Sequence, residues 1–180
     1  MTYAQCSDLR ADRGLGALWE RNFCLLASRF GKSFTPHQIG RDGASAAAFA
    51  RQSKHWNAYT LPDVTVWTAP GEHHEIKHKA PTKYNSFGLE RYRFDALVWF
   101  RKETGQAVFY TIHNHFLAGG RDVAENCIED WVTCEVGRLA GQFKEWPGTS
   151  YVGGKPTQVP ICYWNVGLWR PLQEIWTPSF

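Results

Sequence analysis

One stretch constrains the fold more than any other: LPDVTVWTAPGEHHEIKHK, residues 61–79. Val64, Thr65, Val66 and Trp67 are β-branched or aromatic, the residue types that suit a pleated, half-buried surface. Pro70-Gly71 is turn chemistry, and His74 to His78 reads as a second strand, so the segment is a β-hairpin. Successive side chains of a strand alternate between two faces. Glu75 and Lys77 therefore project together, and Ile76 faces the other way, into a core. Asp63 opens the first strand, and antiparallel pairing of 64–67 with 74–78 brings its carboxylate beside Glu75.

The flanking sequence supplies the rest of a mixed architecture. Leu15, Leu18, Trp19, Phe23, Leu26 and Phe30 recur at three- and four-residue steps, which predicts a helix over 15–30 stopped by Gly31. Glu20 sits at the edge of that stripe, with Phe23, Cys24 and Ala27 as its inward neighbours. A carboxylate leaning toward a core needs a partner or a metal; the plainer reading is a rim glutamate. Gly14-Leu15-Gly16 reads as a turn leading into this helix. A short strand is expected over 32–39, then a loop and an Ala-rich helix over 41–57. A loop over 80–88, a helix over 88–102 closed by Thr104-Gly105, and a buried strand over 106–113 follow. A second long amphipathic helix is predicted over 121–139, carrying Cys127 and Cys134 as packing residues. The tail is rich in Gly and Pro, with one strand candidate over 159–164. The expected fold class is α/β: a mixed central β-sheet flanked by helices, in one domain with a core over about 15–140 and a C-terminal extension over about 141–180.

Composition narrows the function classes. Twenty Lys and Arg against 17 Asp and Glu leave a net charge of +3, which permits an anionic partner without demanding one. The five Cys are an odd number and include no CxxC pair, which argues against a disulfide framework or structural zinc and fits a reducing cytoplasm. No apolar run is long enough to span a membrane, and MTYAQCSDLRADRG has no apolar core of a secretory leader. Most of the nine Trp are expected in the core.

Two carboxylates as close as Asp63 and Glu75 cannot both stay ionised without a cation. Oxygen ligands favour a hard divalent ion such as Mg²⁺. A lysine beside that ion can orient or deprotonate a water and can neutralise a phosphate, and these are the parts of metal-assisted phosphodiester hydrolysis.

Pro62-Asp63 followed by Glu75-Ile76-Lys77 resembles the PD-(D/E)XK nuclease superfamily, which includes restriction endonucleases and archaeal-type Holliday junction resolvases. Glu20 matches the acidic residue that many members carry on their first core helix. The resemblance implies a restriction-endonuclease-like core and a Mg²⁺-dependent enzyme, with Mn²⁺ as a substitute, cutting DNA to 5′-phosphate and 3′-hydroxyl ends. It implies Asp63, Glu75, the Ile76 carbonyl and Glu20 as metal ligands and Lys77 as the residue that positions water. Lys79 and Lys83 stand in for the further lysine or glutamine of the family, as contacts to nucleic acid. A homodimer is expected on physical grounds, because one active site cuts one strand; such a small enzyme would suit a phage or mobile element. The alternative is a non-catalytic nucleic-acid-binding or assembly protein on the same scaffold; the plainer reading of the motif itself is a charged edge hairpin with Glu75 and Lys77 facing solvent.

Other signals carry less. His113-Asn114-His115 spells HNH, but nucleases of that name are defined by separated residues, so the tripeptide reads as coincidence. His73, His74, His78, His113 and His115 are expected at the surface or on phosphate rather than on a transition metal. Arg91 and Arg93 extend the basic run and read equally well as a solvated helix face or as backbone contacts.

Overall fold

The computed structural model describes residues 9–37, 62–68, 71–119, 121, 125–152 and 155–177. The Ala-rich helix expected over 41–57 lies outside these residues.

The first helix, α1, spans Leu9–Arg29. It begins before the apolar stripe does, so Gly14 and Gly16 lie within it and do not form a leading turn. A helical glycine costs only about 1 kcal/mol relative to alanine, which the buried stripe of Trp19, Phe23, Leu26 and Ala27 outweighs. Gly31 ends the helix with a φ of 66°, in the left-handed region that glycine enters freely.

Nine strands follow among the described residues: β1 Ser33–Pro36, β2 Val64–Trp67, β3 Glu72–Lys79, β4 Ser86–Glu90, β5 Ala107–Asn114, β6 Trp131–Glu135, β7 Lys144–Val152, β8 Lys155–Asn165 and β9 Arg170–Pro171. Six of them form a sheet in the order β1-β2-β3-β5-β6-β9, and the other three form a sheet in the order β4-β8-β7. The expected hairpin is present, with Val64 opposite His74 and Thr65 opposite His73. Strand β3 also pairs in parallel with β5, so it is central in the sheet and covered on both faces.

Two predicted helices differ from the structure. The helix predicted from Gly88 begins at Arg91; this helix, α2, spans Arg91–Thr104. Residues 86–90 are strand because Phe87 and Leu89 alternate into the core opposite Trp164 and Cys162 of β8. Gly88 between them is required: a Cβ there would lie 2.7 Å from the Tyr163 ring. The long helix predicted over 121–139 is replaced among the described residues by a 3₁₀ turn at Ile128–Asp130, strand β6 and one helical turn at Val136–Leu139. Trp131, Val132 and Thr133 favour extended backbone, and pairing with β5 (Tyr110 opposite Cys134, Ile112 opposite Val132) outweighs the local helical period. Cys127 and Cys134 therefore do not share a helix.

Two cores flank the six-stranded sheet. One lies against α2 and the small sheet and includes Phe87, Leu89, Phe94, Leu97, Tyr110 and Trp164. The other lies against α1 and includes Trp19, Phe23, Ile76, Trp131, Leu172 and Trp176. Residues beyond 141 thus enter both cores, and β8 is longer than the strand expected over 159–164. Of the Trp residues described, five are buried, whereas Trp67, Trp99 and Trp146 are exposed. Among the described residues no helix is long and apolar enough to cross a membrane.

Candidate active site

Alternation along β3 sends Glu75 and Lys77 toward α2, while Ile76 packs with Phe23 and Trp131 on the α1 side. Asp63 precedes β2 by one residue, and its Oδ2 accepts a hydrogen bond from the Ile76 main-chain N–H at 2.7 Å. That bond pins the carboxylate to the middle of β3. Lys77 Nζ donates to Glu75 Oε1 at 2.5 Å and to the Ile76 carbonyl at 3.0 Å, and lies 3.6 Å from Asp63 Oδ2. One ammonium therefore touches both acidic side chains. The Glu75 carboxylate is completely buried, and among the described residues its Oε2 has no hydrogen-bond partner.

The electrostatics follow from this crowding. Asp63 is pushed up to about 6, by burial first and then by the charge of Glu75; Lys77 and Arg93 oppose the rise, and Glu20 adds to it. Burial alone would raise Glu75 too, but Arg93 and Lys77 outweigh it and hold Glu75 at about 2. Lys77 is kept an ammonium: its desolvation is outweighed by the two carboxylates, and its pKa lies above the ordinary lysine value. Lys79 moves the other way, to about 8, chiefly through burial.

The structure thus brings together Asp63, Glu75, Ile76 and Lys77. Glu20 is half-buried on α1, near enough for its charge to act on Asp63. Lys79 lies on the same side of β3, with its ammonium hydrogen-bonded to the Gly88 carbonyl. Lys83 sits instead on the exposed turn after β3, with its ammonium 5.0 Å from the Tyr84 ring centre. Sequence reasoning undervalued Arg93. It emerges from the first turn of α2 and ion-pairs with Glu75 Oε1. The signal was there: a carboxylate buried in a central strand needs a counter-charge, and Arg93 opens the next helix. Tyr110, opposite Glu75 in the β3–β5 register, was also missed; its hydroxyl donates to the Gly88 carbonyl at 2.9 Å.

The histidines depart from expectation. His73, His74 and His113 are buried rather than at the surface. The register of β3 and β5 turns His74, His78 and His113 toward α1, where Trp19 stacks on His78 and on His113 with ring centres 4.2 and 3.9 Å apart. Burial, with smaller contributions from neighbouring positive charge, lowers His78 to about 4 and His113 to about 3, so both are neutral near pH 7. Asn114 accepts from the Phe116 N–H and caps the short helical turn at His115–Ala118.

Among the described residues no cluster of three or more His, Cys, Asp or Glu side chains forms a metal cage. The donors at the β2–β3 hairpin are two carboxylates and one main-chain carbonyl. They fit a hard divalent ion: all are oxygens, and Glu75 Oε2 is buried with an unused lone pair among the described residues.

No protein-family model matches this chain, and neither does any curated protein. Among solved structures the chain is similar to Hjc, a Holliday junction resolvase from the archaeal hyperthermophile Archaeoglobus fulgidus. The TM-score is 0.53 at 12% identity, over 92% of this chain and 98% of that one. The likeness establishes the fold expected from the sequence: α/β, with a restriction-endonuclease-like core whose mixed central sheet is flanked by helices.

Proposed function

We propose that this chain is a Mg²⁺-dependent endonuclease that hydrolyses DNA phosphodiester bonds through a PD-(D/E)XK site. One observation carries the reading: a single ammonium, Lys77, is held between two carboxylates beside a buried carboxylate oxygen that has no partner among the described residues, on the fold of a resolvase. Asp63, Glu75 through Oε2, and the Ile76 carbonyl would hold the ion, with Glu20 assisting. A bound Mg²⁺ supplies charge neutralisation at the scissile phosphate and a more acidic water.

The chain's own groups do the positioning. Lys77, whose ammonium lies between the two carboxylates, would position the attacking water and neutralise charge developing on the phosphate. Arg93 and the Asp63–Ile76 hydrogen bond keep the two carboxylates from swinging away. Lys79, whose ammonium donates to the Gly88 carbonyl, would contact the next phosphate. Because one site cuts one strand, a homodimer accounts for paired cuts; the setting we propose is the cytoplasm.

A second reading, a non-catalytic nucleic-acid-binding or assembly protein, draws on Arg93. With Lys77 it neutralises Glu75 Oε1 without any metal, as a structural ion-pair cluster would. A panel of labelled branched, duplex and single-stranded DNA and of RNA, incubated with and without Mg²⁺ or Mn²⁺, separates the two. The nuclease reading expects cleavage of DNA only with the cation, lost by about 10³-fold or more in Lys77→Met and Asp63→Asn. DNA left intact by the wild-type protein with Mn²⁺ hands the site to the second reading.

A further inference from the structure

A cavity of about 770 Å³ opens between the turn after β3 and the β7–β8 hairpin, away from the carboxylates. Lys83, Tyr84, Lys144, Trp146, Tyr163 and Asn165 are among its lining residues. Two of its aromatics are turned outward: Tyr84 is 76% exposed and Trp146 is 61% exposed. Single exposed aromatics are ordinary, but these two border one concave surface together. Among the described residues that line the cavity there is no Asp or Glu, while Lys83 and Lys144 are both there.

The register of the small sheet builds this surface. Gly88 of β4 and Lys144 of β7 both pair with Tyr163 of β8, and Trp146 stands two residues beyond Lys144 on the same strand. Tyr163 lies across the sheet above two glycines. A Cβ at Gly88 would come within 2.7 Å of its ring, and one at Gly148 within 3.4 Å of its hydroxyl oxygen. The ring is therefore held down as a floor, with Trp146 and Tyr84 at the rim. The same strand also borders the candidate active site. The carbonyl of Gly88 accepts from Lys79 and from Tyr110, and Ser86, roughly 7 Å along β4, lines the cavity.

Aromatic faces with flanking ammonium groups match unpaired nucleotides, whose bases stack and whose phosphates seek cations. A paired duplex hides its base faces, and a protein interface of this kind is ordinarily depleted in lysine. We infer that this cavity is a stacking site for an unpaired nucleotide of a nucleic-acid strand whose phosphate backbone continues along β4 toward Lys79 and Glu75. The inference rests on the nuclease reading for the identity of that strand; the stacking itself is measured without cleavage.

The test is fluorescence anisotropy of a fluorescein-labelled oligothymidylate in EDTA, with a blunt duplex as control. Trp146→Ala and Tyr84→Ala, both at exposed positions, should keep the wild-type melting temperature. Each should weaken single-strand binding by about tenfold and leave duplex binding unchanged. The inference is overturned if wild type does not bind the single strand, or if the Trp146→Ala, Tyr84→Ala double variant binds it as wild type does, which is also what a protein-docking face would give. The two readings fail separately. A protein that cuts nothing yet shows the tenfold losses keeps the stacking site and loses the nuclease; one that cuts duplex DNA without those losses does the reverse.

Discussion

Along β3, His73, Glu75 and Lys77 meet groups of α2, whereas Glu72, His74, Ile76 and His78 meet groups of α1, β5 and the C-terminal helical turn. Both faces are buried, and both carry titratable side chains. On the α2 side charge is kept and answered by opposite charge: Glu75 with Lys77 and Arg93, and Asp63 with Lys77. On the α1 side His74, His78 and His113 are lowered by burial and packed between aromatic rings as neutral groups. A strand can bury either kind of surface; on the first, two carboxylates share one ammonium, whereas Glu72 on the second is engaged by His74 and Trp176.

The comparison can be broken from either side. The largest effect is expected on the apolar side: Phe23→Ala should cost about 4 kcal/mol in denaturant unfolding, because Phe23 is fully buried against His74, Trp131 and Trp176. Cleavage per folded molecule should be unchanged. On the charged side, Glu75→Gln should cost about 3 kcal/mol by leaving Lys77 and Arg93 half-buried without their carboxylate, and it should also abolish cleavage. A smaller effect is pH-dependent. His113 is lowered from 6.5 to about 3, so the unfolded chain takes up a proton below pH 6.5 that the folded chain refuses. Its contribution is fully present above pH 6.5 and is lost as pH falls toward 3; thermal unfolding of His113→Phe should show a shallower loss over that window. The smallest effect sharpens the contrast between buried and exposed charge. Arg91 pairs with Asp95 and Glu145, all well exposed, and Arg91→Ala should cost less than about 1 kcal/mol, well below Arg93→Ala in the same assay.

Much of this was legible before folding because it is local. Period-two alternation placed Glu75, Lys77 and Ile76, turn chemistry placed the hairpin, and helical spacing placed α1 with Glu20 at its edge. What escaped depends on contacts distant in sequence. Strand β6 is strand because β5 offers it a partner, and β4 is strand because β8 does. Arg93 read equally well as solvated because nothing near it in sequence announces Glu75, 18 residues away. His74, His78 and His113 read as surface groups because polarity was weighed without knowing that α1 would cover that face.

The central claim is that the hairpin carboxylates form a divalent-cation site. Calorimetric titration of the metal-free protein with Mn²⁺ tests it without any nucleic acid. The account predicts saturable uptake by wild type, weakened at least about tenfold in Asp63→Asn with the fold intact. Wild type that takes up no Mn²⁺, or Asp63→Asn that binds it as tightly, would contradict the account.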